Sequence, residues 1–138
     1  MQDVLNSLIR FLTDATLTVG LLLVVVLDSV FARWRNAAMR VLTLGSLAAA
    51  LALCARPVET GPIFSGMLVV DPLASFFKVI LLLASLLVLL AFTFRNSDEL
   101  KGLGHGEFYA LMLAVTLSNL LLAGAGDLVM LYLALEMV

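Results

Sequence analysis

A carboxylate at the end of an uncharged apolar run is the clearest chemical signal in this sequence. Glu136 follows the stretch from Leu128 to Leu135, which holds no charge. Counted from Asp127, it stands about 13 Å along a helix that rises 1.5 Å per residue. A carboxyl that deep in lipid must be protonated, paired with a cation or hydrated. Each state suits a proton relay, and Glu136 is therefore the first candidate site residue. Tyr132 precedes it by one turn and shares its face. The phenol can bond the carboxyl or reach toward water. Lys78 is the one base well inside an apolar stretch, Arg40 lying near the end of its own, and it stands about 10 Å past Asp71 along its helix. That depth permits a pair with Glu136 across a bundle, or snorkelling of the ammonium outward along its own stem.

The other polar residues ask for less. Asp14 and Asp28 fall near opposite ends of the first apolar stretch, and Asp28, one turn from Arg33, is read as interfacial. Thr116, Ser118 and Asn119 lie mid-way along the fourth stretch. Such groups bond a neighbouring helix or their own backbone, or else line a hydrated path. His105 stands between glycines in a predicted loop, without ligand spacing for a metal. Cys54 is the single cysteine, so it forms no internal disulfide and packs as a small hydrophobe. Phosphate-cradling glycine patterns, nucleophile elbows and paired haem histidines do not occur.

These residues need a helical frame in lipid. The chain is 63% hydrophobic and 13% charged, with mean hydropathy +1.15, against about 25% charged in a soluble domain. A net charge of −2, with no basic patch, excludes nucleic acid as a partner. A bilayer core of about 30 Å takes about 20 apolar residues. Four stretches reach that length, at about 11–32, 37–55, 72–94 and 107–125. A fifth starts at Asp127, and its residues through Val138 give about 18 Å, too little to cross. The sequence is thus expected to break off inside helix five, or to be completed by another polypeptide. The predicted fold is all-α, a polytopic transmembrane helix bundle of four full spans plus the start of a fifth, forming one domain over residues 1–138.

The links carry their own punctuation. Trp34 among Arg33, Arg35 and Asn36 reads as an interfacial anchor. Gly61-Pro62 through Gly66 predicts a turn or short hairpin. Asp71-Pro72 is an N-cap acid followed by proline at the first helical position. Gly124-Ala125-Gly126 permits a tight reversal. Arg33, Arg35, Arg40, Arg95 and Lys101 flank the first and third links, against Arg10 and Arg56 on the other side. The positive-inside rule then puts the N-terminus outside. The first apolar stretch lacks a cleavage motif and reads as a membrane helix, not a removed signal. No lipid-attachment pattern stands at either end.

The last third of the chain runs Gly106-Glu107-Phe108-Tyr109, then Ala125-Gly126-Asp127-Leu128, then Leu131-Tyr132-Leu133-Ala134-Leu135-Glu136-Met137. Together with Val70-Asp71-Pro72-Leu73 through Phe76-Phe77-Lys78, it resembles the subunit N family of bacterial NADH–quinone oxidoreductase, respiratory complex I. The resemblance covers about residues 65–138; the first two helices match in spacing and hydrophobicity alone. Ala134 replaces a common glycine and Met137 a common leucine. The resemblance implies the N-terminal part of an antiporter-like fold in a chain several times longer. It also implies a helix-five glutamate, here Glu136, facing a lysine from a later helix in a proton path coupled to quinone reduction. No pathway role for Lys78 is implied.

On this resemblance the chain is a non-redox, proton-translocating subunit of a bacterial inner-membrane translocase. Its partners are the lipid bilayer and the other membrane subunits of complex I. It binds no cofactor itself, while NADH and quinone serve the assembled complex. Two other readings stay open. One is a subunit of a related cation/proton antiporter or membrane-bound hydrogenase. The other is a structural membrane module without transport of its own.

Overall fold

The computed structural model describes residues 12–30, 35–54, 61–63, 66–94 and 105–138. Within them the chain is all-α apart from one short hairpin. The elements are α1 (Leu12–Val30), α2 (Arg35–Cys54), β1 (Gly61–Ile63), β2 (Leu68–Val70), α3 (Pro72–Phe94), α4 (His105–Ala123) and α5 (Leu128–Met137). Arg10, Arg33, Trp34, Arg56, Arg95 and Lys101 lie outside the described residues, as do the side chains of Asp28 and His105.

Local chemistry sets these limits. The carboxylate of Asp71 accepts from the Ala74 amide and its carbonyl accepts from Ser75 at 3.0 Å. The cap predicted from Asp71-Pro72 therefore opens α3. The histidine read as a loop residue instead begins α4. Glu107 sits in that first turn, where a negative side chain favours helix over loop through the dipole. At its other end α4 stops at Ala123, because the next residues are taken by the hairpin. Leu68 bridges Ala125, the Val69 amide donates to Gly124 O at 2.8 Å, and the Gly126 amide donates to Met67 O at 2.9 Å. Asp127 then caps α5, accepting from the Leu128 amide at 2.7 Å.

The first four helices form a ring. α1 and α3 each pack on both α2 and α4, α2 touches α4 across the middle, and α5 leans on α4. Leu17, Leu47, Leu82, Leu113 and Leu120 meet at the centre. Near the far end from the hairpin, Phe92 stacks on Phe108 at 4.0 Å and meets Tyr109 edge-on at 6.0 Å.

Polarity is distributed the opposite way from a soluble bundle. Asp14, Thr43, Thr116 and Ser118 are buried, while Val41, Leu73, Leu87, Leu111 and Leu128 face outward. Water does not tolerate so continuous an apolar exterior, whereas lipid does, and polar side chains then serve as contacts between helices. The hydroxyls are satisfied locally: Thr43 donates to Met39 O at 2.7 Å and Thr93 to Leu89 O at 2.8 Å, one turn back along each helix. This is the exterior of a membrane protein. Among the described residues Pro72–Thr93 is long and apolar enough to cross a bilayer, whereas Leu12–Leu27, Met39–Cys54, Glu107–Ala123 and Leu128–Met137 are shorter apolar stretches.

Small residues let α1 approach α2. A Cβ on Gly20 would fall 2.6 Å from Ser46 Cβ, so α1 seats there only without a side chain, the usual device of membrane helix pairs. Gly20→Leu is expected to destabilise the bundle by about 1–3 kcal/mol through overpacking. The check is the unfolding midpoint of the purified protein in detergent micelles, which an unstrained contact would leave unchanged.

Candidate functional site

One ion pair lies in the interior of the described bundle. Asp14, in the first turn of α1, is 1% exposed, and Lys78, in the second turn of α3, is 12% exposed. The ammonium donates to Asp14 Oδ2 at 2.8 Å and to Oδ1 at 3.1 Å. Because α1 and α3 stand diagonally in the ring, the pair crosses the bundle. Lys78 thus turns inward and does not snorkel, and its partner is Asp14 in place of Glu136. Desolvation explains the choice: a cation buried this far requires a counter-charge, and Asp14 is the carboxylate on the facing side. Cys54 closes α2 beside the pair, its thiol donating to Ser75 O at 3.9 Å.

Glu136 occupies a different place. The one buried residue of α5 is Ala134, whose carbonyl accepts from the hydroxyl of Ser118 on α4. Glu136 and Tyr132 each stand two residues from Ala134, about 200° around a helix of 3.6 residues per turn. Both therefore face away from α4. The Tyr132 hydroxyl donates to Glu136 Oε1 at 2.9 Å, and the surrounding Leu131, Leu133, Leu135 and Met137 are exposed. Among the described residues no cation pairs with Glu136.

The mid-helix hydroxyls make contacts between helices. Thr116 donates to Met112 O at 2.7 Å and approaches Ser85 Oγ at 3.0 Å, which ties α4 to α3, as Ser118 ties it to α5. Among the described residues no cluster of three or more His, Cys, Asp or Glu side chains is arranged to hold a metal.

Sequence similarity covers the whole chain. The chain is 39% identical to NADH-quinone oxidoreductase subunit N of Anaeromyxobacter sp. (strain Fw109-5) over 143 residues, covering 100% of this chain and 27% of that protein. Its whole length is therefore similar to about a quarter of a subunit N protein. It is 33% identical to NADH-quinone oxidoreductase subunit N 1 of Solibacter usitatus, over 93% of this chain and 26% of that protein. It is 32% identical to NAD(P)H-quinone oxidoreductase subunit 2 of Gloeobacter violaceus, over 87% of this chain and 23% of that protein. The chain spans about a quarter of the length of these relatives. No family model matches it. The subunit N resemblance rested on residues from about 65 onward. The full-length alignment extends it over α1 and α2, and so over Asp14, which composition and spacing left as one acid among several.

Proposed function

We propose that this chain forms part of a proton-translocating membrane subunit of NADH–quinone oxidoreductase, with Glu136 as a proton-exchanging group on its path. The observation that carries this is the setting of Glu136. It is a carboxylate on an outward face of α5, held by Tyr132 at 2.9 Å among exposed Leu and Met side chains. An intramembrane carboxyl bonded to a phenol, with no cation beside it among the described residues, is poised to take up and release a proton as its surroundings change.

In this reading α1 to α4 each cross the bacterial inner membrane as the N-terminal part of an antiporter-like fold, and α5 begins a fifth crossing. The hairpin end faces outward, as the N-terminus does. Lys78 is the interior cation of the bundle and Tyr132 orients the Glu136 carboxyl. The subunit performs no redox chemistry and binds no cofactor. NADH and quinone react elsewhere in the assembled complex, whose other membrane subunits and lipid cover the apolar exterior.

Glu136→Gln keeps the size of the side chain and the Tyr132 contact but removes the exchangeable proton. In the complete complex, proton uptake and quinone reduction are measured together in inverted membrane vesicles. Translocation per turnover is expected to fall by about tenfold or more, the scale of removing one proton-transfer group. Unchanged translocation and turnover would refute the assignment.

A further inference from the structure

The Asp14–Lys78 pair lies next to the turn from which α5 departs. A Cβ on Gly124 would sit 3.6 Å from Lys78 Cε, and equally 3.6 Å from Leu68 Cδ2 and Val69 O. The stem of Lys78 and strand β2 are therefore two walls of one slot, and the α4–α5 turn fills it. On the strand side the turn is fastened by backbone hydrogen bonds, Val69 N to Gly124 O at 2.8 Å and Gly126 N to Met67 O at 2.9 Å. On the lysine side the stem packs in the slot, and its ammonium is bonded to both oxygens of Asp14. A four-carbon chain in lipid otherwise extends its charge toward the interface.

We infer that Lys78 is a positioning residue for Glu136: Asp14 anchors its ammonium so that its stem walls the α4–α5 turn and sets where α5 enters. The helix behind that turn carries Tyr132 and Glu136, and a rigid rotation or tilt at Gly124 changes what faces the carboxyl. Among the described residues the groups that face the pair are few. Cys54 ends α2 and donates its thiol to Ser75 O of α3, and the first turn of α1 supplies Asp14. This inference rests on the reading of Glu136 as a proton-exchanging group.

The test separates the stem from the charge. Asp14→Asn/Lys78→Met removes both charges and keeps an unbranched apolar stem. Asp14→Asn/Lys78→Ala removes both charges and the stem. Neither leaves an unpaired buried ion, so both are expected to assemble. In membranes containing the complete complex, Glu136 is labelled with dicyclohexylcarbodiimide, which reacts with protonated carboxyls in apolar surroundings, and the yield is followed against pH by peptide mass spectrometry. The Met double variant is expected to keep the parent midpoint. The Ala double variant is expected to move it by about one pH unit, a tenfold change in proton affinity. If the Ala variant keeps the parent midpoint, or the Met variant moves as far as the Ala variant, the positioning role is wrong. A parent profile already independent of pH would overturn the Glu136 reading, and this inference with it.

Discussion

Asp14→Asn alone is expected to destabilise the bundle by about 3–5 kcal/mol, and adding Lys78→Met is expected to recover most of that loss. The asymmetry follows from the geometry. Asp14 is 1% exposed and Lys78 12% exposed, with 2.8 Å between Nζ and Oδ2. Both ions have left solvent, and each is tolerated because the other is there. Neutralising Asp14 leaves an ammonium facing an amide in the interior, without a counter-ion and without an easy route back to water. Neutralising both leaves an amide and a thioether of similar volumes, and two buried charges no longer need solvation. The pair therefore contributes more to which helices meet than to net stability, since it fixes the start of α1 against the second turn of α3. Reversible unfolding in mixed micelles, titrated with a denaturing detergent and followed by helical circular dichroism, gives the free energies of the parent, of Asp14→Asn and Lys78→Met alone, and of the double variant. A double variant as unstable as the sum of its singles would show that the two charges do not interact.

That pair also marks how far the sequence alone could be read. The helices were legible, because runs of Leu, Val and Ala of about 20 residues have few other stable forms in lipid. So was the cap at Asp71-Pro72, which works through adjacent atoms. The predicted hairpin at Gly61-Pro62 to Gly66 is present as β1 and β2, paired Gly61 with Val70 and Ile63 with Leu68. Contacts between distant residues were not legible. Lys78 stood out as a base in an apolar stretch, yet depth alone matched it with Glu136 as well as with any other acid. Which acid it meets depends on the order of helices around the ring, and periodicity carries no information about that order. α1 and α3 face each other across the bundle, while Glu136 turns outward because α5 packs by Ala134. The start of α4 was misplaced for a similar reason, since Gly104 and Gly106 around His105 suggest a loop locally while Glu107 favours the helix. The local group at the end of the chain, Tyr132 with Glu136, was one of two open readings, and a spacing of four residues brought the two groups together.

Gly126→Ala is the second substitution with a large expected effect, and its contrast with Gly124→Ala makes it informative. A Cβ on Gly126 would lie 2.5 Å from Gly66 O and 2.6 Å from Val69 Cγ2. The first of these is a backbone atom that no rotamer change can move. Gly66 itself has φ of +91°, a conformation glycine adopts readily and other residues do not, so the hairpin cannot readily shift its carbonyl. Relief then requires breaking the bond from Gly126 N to Met67 O and lifting the turn off β2. Overpacking of this kind typically costs about 1–3 kcal/mol, and the lost hydrogen bond adds about 1 kcal/mol. Gly124→Ala meets nothing closer than 3.6 Å, an ordinary van der Waals distance, and is expected to fall within about 0.5 kcal/mol of the parent. The two glycines stand two residues apart in one turn, so composition and helix propensity hardly distinguish them. Equal losses at both positions in the same micelle titration would mean that the hairpin does not clamp the turn. A selective loss at Gly126 would establish that α5, and Glu136 with it, departs from a seat built by residues 66–69.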